Sequence, residues 1–267
     1  MKLFKSKKKT PLSTKFLIIA NIVAFIAVIV VNYLATSLPI WGLSTGQLSD
    51  LYPNLFTPTW LTFSIWGVIY LALLGFVIWQ AIGFFKNKGS KITKKIWIWF
   101  LLSCLTNIGR IFAWHNQKLL LSVIIMILFL IILIVINNKI EIWKKIWNVW
   151  DKYLVQVPFS LYLGWISVAT IANISAWLVN IWWSGFWVSP VSWTIIVILV
   201  AMILSLLALY KNKNIVFALV VIWAFLWIIL KRLWAEIIYT QIIWVLWIAI
   251  TIISAGIWYK FEDWKKN

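Results

Sequence analysis

This chain has almost none of the residues from which catalytic and metal centres are usually built. Its 267 residues include one cysteine, Cys104, one histidine, His115, and six acidic side chains. A single cysteine excludes an internal disulfide and any cysteine-based metal cluster. A single histidine excludes a bis-His haem and a His-rich zinc site. The six carboxylates form no sequence-local pair suited to acid/base work. Gly-rich phosphate loops, HExxH helices and GxSxG elbows are all missing. No lysine stands in the middle of an apolar run, so a retinal Schiff base of the rhodopsin type has no attachment point. The sequence therefore offers no catalytic residue, no metal site and no obligatory cofactor.

What abounds is apolar: 64% hydrophobic residues against 11% charged, with a mean hydropathy of +0.98. Runs this long require helices, which alone satisfy their own backbone groups inside lipid, so the fold class is an all-α polytopic membrane bundle. The short alternating segments of a transmembrane barrel are not seen. The net charge of +18 does not point to nucleic acid, because the lysines occupy short loops between apolar runs, where they set topology. The partner implied by the composition is the lipid bilayer.

Loop punctuation divides the chain into eight spans, near 16–36, 60–85, 95–114, 119–137, 154–179, 190–210, 214–230 and 236–259. With the N-terminus inside, 20 of the 24 Lys and Arg fall on the inner side; only Arg110, Lys118, Lys231 and Arg232 fall outside. That asymmetry predicts both termini in the cytoplasm and insertion in the cell membrane. The basic start followed by an apolar run imitates a signal peptide but lacks a small-residue cleavage site after Val31, so a retained first helix is expected. In the fourth loop, Trp143, Trp147 and Trp150 share one helical stripe, as in a segment lying along the headgroups. Trp182, Trp183, Trp187 and Trp258 read as interfacial belt residues, His115 as a solvated turn residue, and Lys231, Arg232 and Glu236 as an interfacial charge cluster.

Two distant stretches stand out. Residues 52–70, YPNLFTPTWLTFSIWGVIY, begin as a loop carrying Tyr52, Phe56, Pro58 and Trp60, then enter a helix with Trp66 and Tyr70 on one face. Residues 161–173, LYLGWISVATIAN, place Trp165, Ala169 and Asn173 at four-residue intervals, with Tyr162 near the same side. At ~1.5 Å per residue, Trp66 and Tyr70 fall roughly 9 and 15 Å below the outer end of their span. Asn173, Ala169 and Trp165 fall roughly 9, 15 and 21 Å below theirs, and Arg110 and Asn107 about 6 and 10 Å below the end of the third. All share the outer half of the bilayer, beneath a lid at 43–59. Helix packing explains small residues and an asparagine equally well, and an arginine near a helix end commonly snorkels. The sharper reading is a pocket of flat rings in which Asn107 or Asn173 orients a rigid apolar ligand and Arg110 pairs with a carboxylate.

The two stretches together resemble the TspO/MBR family of tryptophan-rich sensory and translocator proteins. Against its second-helix pattern PPxWVFxxVWxxLY, Pro58, Trp60, Trp66 and Tyr70 keep their spacing; Thr57 replaces the first proline and the phenylalanine shifts to Phe63. Against its fifth-helix pattern PYLxWVxFAxxLN, Tyr162, Trp165, Ala169 and Asn173 match, with Leu161 in place of proline. Of the third-helix element LNxxW, Asn107 remains and Arg110 replaces the tryptophan.

The resemblance implies a five-helix membrane domain over 16–180, following a basic cytoplasmic tail at 1–15. A three-helix extension over 190–259 and a cytoplasmic tail at 260–267 then lie beyond it. It also implies a hydrophobic planar small-molecule ligand, a haem-like tetrapyrrole such as a porphyrin or a sterol-like molecule, and a homodimer. Binding, sensing or transport of that ligand is the expected role. The alternatives are a small-solute transporter and a porphyrin-degrading enzyme.

Overall fold

A computed structural model describes residues 12–38, 42–85, 91–140 and 149–266, and no strand occurs among them. Helix α1 (Leu12–Thr36) leads to a short α2 (Thr45–Asp50) and then to a 3-10 turn, Trp60–Ser64, that opens α3 (Ile65–Phe85). Next come α4 (Lys91–His115) and α5 (Leu119–Ile140). A brief α6 (Val149–Asp151) passes through a π-helical stretch, Lys152–Gln156, into α7 (Val157–Asn180). The chain ends in α8 (Pro190–Asn212), α9 (Ile215–Leu233) and α10 (Thr240–Lys266). Eight helical stretches among the described residues are long and apolar enough to cross a membrane. They match the eight expected spans closely, and the protein is a multi-span helical membrane protein.

The fifth span departs most, beginning at Val149 rather than near residue 154. Pro158 has no N–H to offer the preceding turn, which would ordinarily end a helix there. Instead the turn widens, and the Val157 N–H reaches back five residues to the Lys152 carbonyl. That π-bulge absorbs the proline and lets one helix continue. At the C-terminus, α10 runs on through Lys266, so the expected tail is helical. Trp143 and Trp147 of the proposed headgroup stripe, and residues 1–11 of the basic tail, lie outside the described residues; Trp150 is exposed.

Two cores meet at α7. The first joins α1, α3, α4, α5 and α7 around Phe76, Phe100, Phe129, Phe159 and Tyr162. The second joins α7 to α8, α9 and α10 around Phe217, Phe225, Ile228 and Leu246. Contact between α7 and α9 depends on Gly164, where an added Cβ would sit 3.0 Å from the Val220 Cβ. In the first core, the Phe76 ring meets Phe100 and Phe159 edge-on at 5.1 and 5.0 Å. This phenylalanine layer closes the bundle beneath the polar residues described next.

Candidate functional site

Buried polar groups must find partners within the bundle, and four helices bring theirs together near the lid end. Asn107 on α4 donates through Nδ2 to the Tyr162 hydroxyl on α7 at 2.7 Å and to the Tyr70 hydroxyl on α3 at 3.3 Å. Its Oδ1 accepts from Asn32 Nδ2 on α1 at 2.8 Å. Asn32 Oδ1 in turn accepts from Arg110 Nη2 at 3.4 Å. A continuous network therefore links four helices and ends on a guanidinium.

Aromatic rings wall this network. Trp66 stacks on Tyr70 with centroids 5.2 Å apart and meets Tyr162 and Trp165 edge-on, both at 6.1 Å. Phe63 packs its edge on Trp165 at 6.0 Å, so the shifted phenylalanine still belongs to the wall. Arg110 lies over the Trp66 ring, its Cζ 4.8 Å from the centroid. It is 7% exposed and so does not snorkel. Among the described residues no carboxylate stands within ion-pair reach of it. Its Nε and the Trp165 Nε1 are buried donors without a hydrogen-bond partner.

Of the residues singled out in sequence, Trp66, Tyr70, Asn107, Arg110, Tyr162 and Trp165 therefore converge. Ala169 is half-buried against the same core. Asn173 turns instead toward α5, where its Nδ2 donates to Ser122 Oγ at 3.0 Å. The sequence reading missed Asn32. It stands three helical turns after Asn21 in α1, and a second asparagine on one face of an apolar helix was the available signal.

The lid is a built structure. Ser44 and Gln47 form a reciprocal cap on α2. Asn54 Oδ1 accepts from the Phe56 and Thr57 amides at 3.1 and 2.9 Å, while its Nδ2 donates to the Tyr52 carbonyl at 3.0 Å. Tyr52 packs on Trp114 with centroids 6.1 Å apart, and Phe56 is fully buried against the second core. The Pro58 carbonyl accepts from Lys231 Nζ at 3.4 Å. Trp60, 67% exposed, points out of the bundle and does not roof the cluster.

Three sequence readings need correction. His115 is buried rather than solvated, its Nε2 3.2 Å from Thr45 Oγ1, because α2 folds over the end of α4. Of the expected charge cluster, Lys231 pairs with Asp50 of α2 because the lid crosses to the end of α9, and Arg232 is buried, while Glu236 is exposed. Trp183 is half-buried and lines a cavity, unlike the exposed belt residues Trp182, Trp187 and Trp258.

Comparison with known proteins identifies a family. A family model described as TSPO-like protein matches residues 18–259, a stretch that includes all of α8 and α9 and most of α10. No curated protein and no solved structure matches the chain.

Proposed function

The chain belongs to the TSPO-like protein family, and from that premise we propose that it is a membrane receptor for a hydrophobic planar ligand. A porphyrin carrying propionates is the favoured guest, with sterol-like molecules as the neutral counterpart. The observation that carries this reading is Arg110, a buried cation with no carboxylate partner among the described residues, lying across an indole. Taking a guanidinium out of water costs several kcal/mol unless a counter-charge restores it. A ligand carboxylate would do so through paired, charge-assisted hydrogen bonds.

Trp66, Tyr70 and Trp165 supply ring faces and edges for a flat guest, and the free Trp165 Nε1 supplies one donor. These rings touch one another, so the guest enters only by parting them, and the lid at 43–59 is the segment that must lift. The charge distribution supports a cytoplasmic-membrane location with both termini inside. In that orientation the ligand site faces the exterior, where a transported ligand would leave.

Protoporphyrin titration tests the reading through quenching of tryptophan fluorescence. Saturable quenching in the wild type should weaken strongly in Trp66→Ala and Trp165→Ala variants. Quenching unchanged in both removes the site.

One observation favours a second reading, small-solute transport. Asn21 on α1 and Gln80 on α3 are buried with both side-chain polar atoms lacking hydrogen-bond partners. Intramembrane polar groups of this kind commonly line a path. Solute flux in proteoliposomes that Asn21→Leu and Gln80→Leu abolish, with porphyrin quenching intact, would favour it.

A further inference from the structure

The second core carries a cavity of its own. It has a volume of about 560 Å³ and lies at the lid end between α7, α8 and α9, with no residue of the Trp66 cluster in its wall. That size lies within the ~300–1,000 Å³ typical of small-molecule sites. Its walls come from the lid, α7, α8, α9 and the connections after α7 and α9. Phe56, Leu178, Val179, Trp193 and Val197 make them largely apolar. Gly185 shapes one rim: with φ +71 it takes a left-handed turn that few other residues adopt, and its carbonyl accepts from Trp193 Nε1 at 2.7 Å.

Charge is confined to one side. Three charged residues line the cavity, Asp50, Lys231 and Arg232. Lys231 and Asp50 neutralise each other in an ion pair. Arg232 is left over. It is 7% exposed, has no carboxylate within ion-pair reach among the described residues, and its Nε has no hydrogen-bond partner. An apolar chamber with one uncompensated buried guanidinium is complementary to a molecule with one anionic head and one apolar body.

We propose that this cavity is a second ligand site, distinct from the Trp66 cluster, for a single-tailed anionic amphiphile whose head pairs with Arg232. The head is a carboxylate or a phosphate, chemistries that a free fatty acid and a lysophospholipid share. The tail runs between α7 and α8, against Leu178, Val179 and Val197. This inference does not need porphyrin binding to be correct, since none of its residues belongs to the Trp66 cluster.

The test uses the full chain in detergent and 11-(dansylamino)undecanoic acid as probe, followed by dansyl fluorescence. The acid should bind saturably and its methyl ester about tenfold more weakly or worse, because the charge-assisted bonds are lost. Arg232→Gln should bring acid and ester to equal, weak affinity, and Arg232→Lys should restore part of the difference. Val197→Trp should reduce both ligands by filling the chamber. An unfolding midpoint measured for each variant separates lost binding from lost fold.

Displacement by dodecanoate and not by dodecyl phosphate assigns the head as carboxylate; the reverse assigns it as phosphate. No saturable binding by the wild type, equal affinity for acid and ester, or unchanged discrimination in Arg232→Gln overturns the proposal. Protoporphyrin dimethyl ester should leave the bound probe in place. Its displacement would merge the two sites and overturn their separation.

Discussion

Arg110 is 7% exposed, and what surrounds it recovers only part of its lost hydration. The indole of Trp66 returns about 0.5–2 kcal/mol as a cation–π contact, and the 3.4 Å bond to Asn32 adds a weak acceptor. A residue held at a net cost is a sign of function competing with stability. Arg110→Met keeps the volume and removes the charge, so its unfolding midpoint in detergent should be equal to or above that of the wild type. The same variant should lose about tenfold or more in affinity for protoporphyrin diacid and little for the dimethyl ester. Equal losses for both ligands would remove the ion pair from the account. Asn107 is the opposite case, because each of its bonds satisfies a buried partner. Asn107→Leu strands the Tyr162 hydroxyl and leaves Asn32 Nδ2 only its 2.9 Å bond to the Val28 carbonyl, and should destabilise by about 1–3 kcal/mol in chemical unfolding.

At the scale of elements, α7 is the wall both cores share, and its closeness to α9 depends on a missing side chain. Gly164→Leu forces atoms into a space where even a Cβ would lie 3.0 Å from Val220. The expected loss is about 1–3 kcal/mol, with part of it restored by Val220→Ala in a double-variant cycle. The lid contrasts with this. Its ion pair to α9 joins side chains that are 26% and 51% exposed, a setting in which such pairs contribute little. Asp50→Asn should therefore change the unfolding midpoint by no more than about 1 kcal/mol equivalent. Internal bonds centred on Asn54, not the charge, hold the lid in shape. Asn54→Ala should open it to protease more than Asp50→Asn does, as cleavage rates would report.

For the whole molecule, the direction of the ligand site follows from which face of the membrane each end occupies. Eight candidate spans among the described residues and the lysine distribution predict both termini on one side. The lone Cys104 is buried at 3% exposure and should resist maleimide in the folded protein. Cysteines introduced one at a time at Ser6, Ser44 and Asn267 then report sidedness in intact cells. Ser44 should label from outside, and Ser6 and Asn267 only after permeabilisation. Labelling of both ends from outside, with Ser44 reached only after permeabilisation, would reverse the inferred direction of the ligand site, and labelling of the two ends from opposite sides would overturn the even span count.

Eight spans could be read before any coordinates, because run length, interruption and lysine position are properties along the chain, and lipid permits helices as the answer. That Trp66, Tyr70, Asn107, Arg110, Tyr162 and Trp165 could share one pocket was also legible, through spacing and depth; that their faces meet was decided by packing. Asn173 bonding to Ser122, Asn32 completing the network, His115 being buried under α2 and the chamber beside Arg232 were not legible. These helices are apolar on nearly every side, so no polar face records which side turns to lipid and which to a neighbour. Only packing decided that, with Gly164 admitting α9 and the bulge before Pro158 carrying α7 onward as one helix.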